Sequence, residues 1–544
     1  MKWANGALHR LVWHMTAPDA LFFHRNAGSA PRIQRELLAR TLQVNSETRF
    51  GKENGFKKVR TYLDYKDRVP ARNWEQFLPY IRSIRTGAER VLTTEAVKLF
   101  EPTSGSASAV KLVPYTESLR RQYGRGVNVW LHDVYHRVPG IRRGRHFWSI
   151  SPSLGVQADF ETSLDVGFDS DAAYLGLSGR LLSMLFAMPG PAKASASVED
   201  SFRVAARHLL RAGDLTLISV WSPSYLTSVL DACLAEAPLV SQELSKGNTG
   251  ARERAARLAA ACKGWEKDGD VARLVRAWWP DLALVSAWAD GASASGAADL
   301  KRIFPAAVFQ PKGLLATEGI VTIPLWPESA AREPVKVPAY TSHFYEFLPE
   351  GESDGARALT LEELQPGGRY TVILTTAGGL YRYLLNDLVR VSGRWMGLPT
   401  LDFVARVSCC DLVGEKLSEV FCRSVLERLF PDGQRPELAF FAPLKSGETW
   451  GYGLFLQKRG LEAPAALGLA GRADTLLREN YHYGYARSLG QLLPLRLFQI
   501  RRGGWADFDR RLVGEGIKIG NIKSPTLDRR PDWDLFLQGR FVDA

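Results

Sequence analysis

Residues 101–116 read EPTSGSASAVKLVPYT, and this stretch decides how the chain is interpreted. The apolar residues Val97, Leu99 and Phe100 lead into a loop of Thr, Ser, Gly and Ala, which Lys111 closes before a second extended run. Such a loop exposes consecutive backbone N–H groups and hydroxyls beside one mobile positive charge, and a polyphosphate needs those groups. The stretch therefore predicts a strand, a phosphate-binding loop and a second strand.

This loop differs from a Walker loop. Gly105 has the right spacing to Lys111, but Val110 precedes the lysine and Leu112 follows it, where a Walker loop has Gly and Ser/Thr. A polar surface turn is the alternative interpretation. If the loop binds phosphate, we expect its contacts to come from Thr103, Ser104, Gly105, Ser106 and Lys111.

Composition indicates a folded chain of more than one domain. Its 544 residues exceed one ordinary core, and 45% apolar with 24% charged residues is typical of globular proteins. The sequence contains no run of about 18 apolar residues, so we expect no membrane span. The N-terminus lacks the apolar core of a secretory signal, so we expect a short amphipathic helix there that packs on the body.

Charge and cysteine content narrow the partners and the compartment. The net charge is +12, but the basic residues are dispersed and their densest cluster, residues 137–145, is short. Small anions such as ATP and carboxylic acids are therefore favoured over nucleic acid. The chain has an odd number of cysteines, five, and their spacing is not that of a metal-binding motif. This predicts reduced thiols in a cytoplasm.

Periodicity predicts an α/β fold, because helices and short apolar strands interleave. Helical spacing is clear at Gln34–Val44, Ser118–Tyr135, Ser201–Arg211, Ala251–Cys262 and Val413–Phe430. Strand-like runs occur at Leu215–Val220, Leu282–Ala287, Tyr370–Leu374 and Leu388–Val391. Residues 327–338 are rich in Pro, Glu and Lys and predict a loop.

The segment HDVYH at 132–136 imitates a zinc-binding helix, with two histidines four residues apart. Asp133 is a shorter arm than the usual Glu, and no third ligand is evident downstream. A helix that packs or lines a pocket is the favoured interpretation.

Several further segments carry a family resemblance. They read GLLATEGIVTIP at 313–324, TTAGGLYRYLLNDLVRV at 375–391, FVARVSCCDLVGEKLSE at 403–419 and GNIKSPTL at 520–527. In this order and spacing the chain resembles the auxin-responsive Gretchen Hagen family of acyl-acid amido synthetases, within the adenylate-forming enzymes. The resemblance extends from about Gln34 to about Leu527 and is closer to bacterial relatives than to the plant hormone enzymes.

The resemblance implies a large N-terminal adenylation domain at residues 1–408, made of β-sheets flanked by helices. A smaller α+β lid domain would follow at residues 409–544. The loop at 103–111 would hold the β- and γ-phosphates of ATP. The family usually carries Thr or Ser, then Gly or Ala, where this chain has Ala107 and Ser108.

The resemblance also assigns roles in nucleotide binding. Thr317 and Glu318 would lie beside the phosphates, with Glu318 holding Mg²⁺, which takes one or two carboxylates plus phosphate oxygens. Asp387 would accept hydrogen bonds from both ribose hydroxyls, and Arg406 would contact the nucleotide near the hinge. The family has Gly before that Asp, whereas this chain has Asn386, which tolerates left-handed backbone angles better than most residues.

Lys523, in the sequence KSP, matches the lid lysine that reaches the reacting phosphate, although Lys518 is only five residues away. The helix around HDVYH would line the acid pocket, so that Tyr123, Trp130 and Tyr135 could touch the acid. The implied activity is adenylation of a carboxylic acid by ATP, followed by transfer to an amine, for which we expect an amino acid. The alternatives are transfer to coenzyme A or another thiol, and nucleotide binding without turnover. The acid, the amine and the oligomeric state stay open.

Overall fold

The computed structural model describes most of the chain. It covers residues 2–103, 111–148, 164–167, 181–188, 198–327, 333–407, 409–410, 412–413, 415, 417–431, 435–447, 449–501, 503–515, 517, 519, 522 and 525–542. For residues 2–4, 103, 198, 292, 409 and 463 only the backbone is described.

The α-helices of the described ranges are numbered in chain order. They are α1 (Lys2–Arg25), α2 (Ala30–Val44), α3 (Arg49–Glu53), α4 (Tyr62–Arg68), α5 (Trp74–Arg85), α6 (Glu117–Arg137), α7 (Val198–Arg211), α8 (Pro223–Ser245), α9 (Thr249–Asp268), α10 (Val271–Trp278), α11 (Ala294–Ile303), α12 (Glu419–Leu429), α13 (Ala463–Leu477), α14 (Tyr481–Ser488), α15 (Gly504–Gly514) and α16 (Trp533–Phe536).

The strands of the same ranges are numbered in the same way. They are β1 (Leu99–Thr103), β2 (Lys111–Tyr115), β3 (Arg145–Trp148), β4 (Asp165–Val166), β5 (Leu215–Ser219), β6 (Leu284–Ala287), β7 (Val308–Pro311), β8 (Leu315–Ala316), β9 (Gly319–Ile320), β10 (Thr322–Leu325), β11 (Val335–Pro338), β12 (Phe344–Pro349), β13 (Arg369–Thr375), β14 (Tyr383–Trp395), β15 (Leu398–Arg406), β16 (Cys409–Cys410), β17 (Leu417–Ser418), β18 (Leu438–Ser446), β19 (Thr449–Gln457), β20 (Arg496–Ile500) and β21 (Gly539–Val542).

The strands form sheets of different kinds. One sheet is parallel, in the order β3-β5-β6-β7, and another is antiparallel, in the order β12-β13-β14-β15. The hairpin of β1 and β2 is joined by β4, and a mixed sheet follows in the order β18-β19-β20-β21. Helices cover these sheets, so the predicted α/β class is confirmed.

Most predicted elements are present. The predicted helices at 34–44, 118–135, 201–211 and 251–262 fall inside α2, α6, α7 and α9, and the four predicted strands fall on β5, β6, β13 and β14. The strand–loop–strand prediction at 101–116 is confirmed in its strands, β1 and β2, which pair in antiparallel register from Leu99↔Tyr115 to Thr103↔Lys111.

Two predicted element boundaries and one predicted helix length were wrong. The helix predicted at Val413–Phe430 begins only at Glu419, because the Ser418 hydroxyl caps it by accepting from the Phe421 N–H at 3.2 Å. The loop predicted at 327–338 ends in a strand, β11, whose register with β10 fixes it in the fold. The N-terminal helix is 24 residues long rather than short, and it packs along α6.

The C-terminal part has its own sheet, β18 to β21, with cores on both faces. Val425 of α12 and Leu477 of α13 belong to the core on one face, and Phe508 of α15 stacks on Trp533 on the other. An ion pair of 2.9 Å between Arg510 of α15 and Glu199 of α7 links this part to the preceding one. β15 ends at Arg406 and β16 starts at Cys409, which is where the resemblance divides the domains; that division stays a prediction. No helix of the described residues is long and apolar enough to cross a membrane.

Candidate active site

Tyr383, the first residue of β14, lies at the centre of the candidate site. The preceding residue, Arg382, is buried and adopts a left-handed φ of 49°. Its Nε donates to both carboxylate oxygens of Glu346 at 3.0 Å, and its Nη1 donates to the carbonyl of Val69 at 2.8 Å. A left-handed φ costs energy in a side chain of this size and persists only where the surroundings fix it. These bonds fix it here, and they set the direction in which Tyr383 enters the site.

Lys111, the first residue of β2, faces Tyr383. Its ammonium donates to the Tyr383 hydroxyl at 3.3 Å. It lies 5.8 Å from the ring centroid of Trp74 and 6.0 Å from that of Tyr383, which is within cation–π range. Burial lowers the pKa of Lys111, while the nearby Glu318 carboxylate acts in the opposite direction. A positive charge is thus held at the end of the predicted phosphate loop, against aromatic rings.

Glu318 lies in the tight turn between β8 and β9 and is 1% exposed. Its Oε1 accepts a hydrogen bond from the Tyr383 hydroxyl at 3.1 Å. Its Oε2 is buried, and no described residue donates to it. The turn is held in place because the carbonyl of Thr317 accepts a 2.6 Å hydrogen bond from the Tyr115 hydroxyl. One oxygen of Glu318 is therefore used in the fold and the other is available to a ligand.

Asp387 and Arg406 are directly opposite each other in the β14–β15 ladder. Arg406 Nε lies 3.4 Å from Asp387 Oδ1, and this carboxylate raises the pKa of Arg406 above its usual value. Asn386, the residue that replaces the family's Gly, has a φ of 61°. Its carbonyl accepts from the Val407 N–H at 2.6 Å. The expectation that Asn would adopt the left-handed turn is confirmed.

The structure thus brings together residues that are far apart in sequence. We call Lys111, Glu318, Tyr383, Asp387 and Arg406 the Tyr383 cluster. Glu318, Arg406 and Asp387 all influence the pKa of Lys111, and the same three groups influence that of Tyr383. Lys111 and Glu318 thus contact the Tyr383 hydroxyl, and the Asp387–Arg406 pair lies close enough to influence its pKa. The predicted grouping is present, and the individual roles stay predictions.

Other predicted residues lie outside the description. Ser104, Gly105 and Ser106 are outside the described residues, as are Ala107 and Ser108, and of Thr103 only the backbone is described. Lys523 and its rival Lys518 are outside them as well.

The donor set of the Tyr383 cluster fits Mg²⁺–ATP. Mg²⁺ prefers oxygen ligands and is commonly held by one or two carboxylates together with phosphate oxygens. The orphaned Oε2 of Glu318 is such an oxygen, and a buried carboxylate oxygen without a partner is costly unless a ligand satisfies it. Lys111 and Arg406 are cations, the kind of side chain that pairs with phosphate oxygens.

The three residues predicted to touch the acid separate into two places. Tyr123 and Trp130 are seven residues apart on α6 and therefore share one helix face. Trp130 donates its indole N–H to Gln310 Oε1 at 2.8 Å. Tyr135 instead faces α1, where its hydroxyl lies 2.9 Å from His9 Nδ1. Because Tyr135 is fully buried in that contact, we do not carry it into the acid site.

The HDVYH segment is occupied by packing contacts. The ring of His132 stacks on Trp13 at 5.6 Å. Asp133 Oδ2 accepts from the Trp326 N–H at 3.0 Å, and burial raises the pKa of Asp133 to about 6. The described residues contain no group of three or more His, Cys, Asp or Glu arranged to hold a metal ion.

Sequence reasoning missed three residues of these sites. Tyr383 stands inside the quoted segment at 375–391, but a tyrosine in a strand gives no signal that separates it from core. Trp74 comes from α5, far from every motif. Gln310 lies three residues before the quoted segment at 313–324, and a glutamine in an apolar strand was the available signal.

Comparison with known proteins identifies the family. Residues 21–308 match the GH3 family N-terminal domain, and residues 337–406 match the GH3 family central domain. The chain belongs to the GH3 family. The central-domain match ends at Arg406, the residue of the Tyr383 cluster that closes β15.

Relatives of this GH3 family chain match from about half to nearly all of its length. A probable indole-3-acetic acid-amido synthetase, GH3.12 of Oryza sativa subsp. japonica, is 22% identical and the match covers 93% of this chain and 92% of the relative. A GH3 domain-containing protein of Homo sapiens is 28% identical, and the match covers 48% of this chain and 51% of the human protein. The solved AtGH3.15 acyl acid amido synthetase in complex with 2,4-DB has the same fold, with a TM-score of 0.74 at 15% identity over 92% of each chain.

Proposed function

We propose that this GH3 family chain is an ATP- and Mg²⁺-dependent acyl-acid amido synthetase. It adenylates a carboxylic acid and then transfers the acyl group to an amine, releasing AMP and pyrophosphate. The observation that carries the proposal is the Tyr383 cluster, in which residues of four separate segments make chemical sense together only around one nucleotide. Mixed charges of this kind match a ligand that has both anionic phosphates and hydroxyl donors.

Each member of the cluster takes one part of the nucleotide. Glu318 holds Mg²⁺ through its free oxygen, and the bound ion supplies positive charge to the phosphate oxygens. Lys111 and the loop at 103–106 bind the terminal phosphates, with Thr317 beside them. Asp387 accepts hydrogen bonds from the ribose hydroxyls, and Arg406 both orients Asp387 and contacts the nucleotide.

The chemistry consists of two displacements. A carboxylate oxygen of the acid attacks the α-phosphorus, the bond to the bridging oxygen breaks and pyrophosphate leaves. The amine nitrogen then attacks the acyl carbon, the bond to the AMP oxygen breaks and the nitrogen loses its proton. Lys523, carried by the proposed lid domain at 409–544, supplies positive charge to the α-phosphate only when the lid is closed.

The substrate class follows from the relatives. One rice relative is named as an amido synthetase of an organic acid, indole-3-acetic acid, and another as a jasmonoyl–L-amino acid synthetase, which names an amino acid as well. We carry that class to this chain: a small carboxylic acid, and an amino acid as the acceptor amine. We assign the reaction to the cytoplasm, because Cys233 and Cys262 form no disulfide.

A panel of acids crossed with amines and coenzyme A tests the proposal. AMP release is read by a coupled assay, and the product is identified by mass. We expect AMP formation that needs both an acid and an amino acid, with an amide as product. A thioester formed in preference to any amide would contradict the assignment of an amine as the acceptor. Nucleotide binding without acid-dependent pyrophosphate release would overturn the activity.

A further inference from the structure

A row of polar side chains crosses the parallel sheet near the carboxyl ends of its strands. The register pairs Trp148 of β3 with Ser219 of β5, Ser219 with Ser286 of β6, and Ser286 with Gln310 of β7. We call these four residues the polar row. Neighbouring residues in register point to the same face of a sheet. In open α/β sheets, ligands bind at the carboxyl ends of the parallel strands.

Helix α6 covers this face, and Trp130 lies against the row. The Trp130 ring is 5.7 Å from that of Trp148, and its indole N–H donates to Gln310 Oε1 at 2.8 Å. The Ser286 hydroxyl donates to the same oxygen at 3.3 Å. An indole N–H is a donor only, so Gln310 must present its oxygen to Trp130 and its amino group elsewhere.

That amino group has unused capacity. Gln310 is fully buried, and no described residue accepts a hydrogen bond from its Nε2. The same is true of the indole Nε1 of Trp148, which is 8% exposed. Leaving a buried donor unsatisfied is energetically costly. Two such donors in one row therefore destabilise the protein on its own. A ligand's acceptor oxygen at this place would satisfy them.

Lys312 adds a positive charge beside the row. It follows Gln310 by two residues, and its ammonium donates to the Ser219 hydroxyl at 2.8 Å. The ammonium lies 5.1 Å from the ring centroid of Trp130 and 4.9 Å from that of Trp221. The polar row and Lys312 thus contribute the Gln310 amide N–H₂, the Trp148 indole N–H and the Lys312 ammonium. All three donate, and none of these nitrogen groups accepts.

We propose that the polar row binds a second oxygen group of the acid substrate, at the end remote from the reacting carboxylate, so that this chain prefers acids that carry a further carboxylate. The inference rests on the proposed function, since α6 and Trp130 border the acid site only if the chain activates an acid. A carboxylate offers two acceptor oxygens and the charge that Lys312 complements. A plain alkyl or aryl end would leave the donors of Gln310 and Trp148 unsatisfied.

Matched pairs of acids test the preference. Hexanoate and adipate differ only in a terminal methyl against a carboxylate, and benzoate and terephthalate differ only in a ring hydrogen against a carboxylate. Affinity is measured by isothermal titration calorimetry without nucleotide, and acid-dependent pyrophosphate release is measured separately. We expect the dicarboxylate to bind at least about tenfold more tightly in one pair or both, as for a hydrogen bond to a charged group.

The Gln310→Glu variant keeps the oxygen that Trp130 needs and replaces only the free amino group by an acceptor. We expect the dicarboxylate preference to fall at least about tenfold, with Lys312→Met acting in the same direction. Gln242→Glu, on the exposed face of α8, is the matched control and should keep the wild-type ratio.

The outcomes separate this inference from the proposed function. Equal affinity within both pairs, including no binding of any acid, overturns the subsite. So does a Gln310→Glu variant that weakens hexanoate and adipate alike, because the row would then hold the reacting carboxylate. A dicarboxylate preference in binding without any pyrophosphate release upholds the subsite and overturns the amido synthetase. Pyrophosphate release without any preference does the reverse.

Discussion

The Tyr383 cluster and the polar row are both polar and at least half-buried, yet they are built from opposite kinds of groups. The Tyr383 cluster combines two carboxylates and two cations with one hydroxyl, on antiparallel strands and a tight turn. The polar row and Lys312 present nitrogen donors on a parallel sheet. A mixed set suits a ligand with metal-bound phosphates and hydroxyls, whereas a set of donors suits oxygen acceptors. The charge pattern of a buried cluster therefore identifies the part of a substrate that it can hold.

Lys523→Ala has the largest expected effect, and it tests whether the Tyr383 cluster binds the nucleotide without completing the chemistry. Charge develops on the α-phosphate as the acid attacks, and a lid lysine would be the donor that arrives there last. We expect near-normal ATP binding and a loss of acid-dependent pyrophosphate release by a factor of about 10²–10³, the usual scale for one preorganised donor. Lys518→Ala is the control. If that variant is the inactive one, the alignment of residues 518–523 is wrong.

Glu318→Gln should have the second-largest effect, because it removes one charge from the Tyr383 cluster. It leaves the polar row unchanged. The amide keeps the shape and the contact with the Tyr383 hydroxyl, but it is a poor Mg²⁺ ligand. The Mg²⁺ concentration for half-maximal pyrophosphate release should rise at least about tenfold, the equivalent of one charged contact. The matched control is Glu36→Gln, whose side chain lies on the exposed face of α2. An unchanged Mg²⁺ dependence would exclude Glu318 as a ligand.

Tyr383→Phe should have a smaller effect and shows how far the cluster depends on its central hydroxyl. The hydroxyl accepts from Lys111 and donates to Glu318, so its loss leaves both less well oriented. The hydroxyl acts on ATP only by orienting these two charged groups, so we expect a loss of about 0.5–1.5 kcal/mol, which lowers ATP affinity about three- to tenfold. Titration calorimetry measures the affinity, with Tyr481→Phe, whose side chain is exposed, as the control. Equal affinity in all three proteins would remove Tyr383 from the site.

Asn386→Ala should have the smallest effect and acts through the backbone alone. At a φ of 61°, alanine is disfavoured by about 1 kcal/mol, whereas Asn386→Gly should cost nothing. The urea midpoint of the transition that includes β14 and β15 should fall in the alanine variant only. Equal midpoints for alanine and glycine would mean that the left-handed turn carries no strain.

The sequence predicted the Tyr383 cluster better than it predicted the polar row, for a physical reason. Glu318 and Asp387 stand in short segments where a carboxylate at a strand end is itself a signal, and the family resemblance placed them around one nucleotide. Gln310 and Trp148 become a site only through strand register, which pairs residues that lie 162 positions apart in one row. Tyr135 shows the same limit, since helical spacing placed it on α6 but could not show that its hydroxyl meets His9 of α1.

The boundary of α12 shows the limit at a finer scale. Periodicity extended the helix back to Val413, but Glu415 instead accepts hydrogen bonds from the backbone N–H groups of Leu412 and Val413. Those bonds hold the chain in a turn, and Ser418 then caps the helix. Local side chain–backbone bonds of this kind compete with helix formation and leave the apolar pattern unchanged.

Isotope exchange between pyrophosphate and ATP tests the central claim most directly. If the acid is activated as an adenylate before the amine is used, labelled pyrophosphate should enter ATP when acid and Mg²⁺ are present and amine is absent. The exchange should be lost in Lys523→Ala and should need more Mg²⁺ in Glu318→Gln. Exchange that requires the amine, or no exchange with any acid that supports AMP release, would contradict the account of a nucleotide held by the Tyr383 cluster for adenylation.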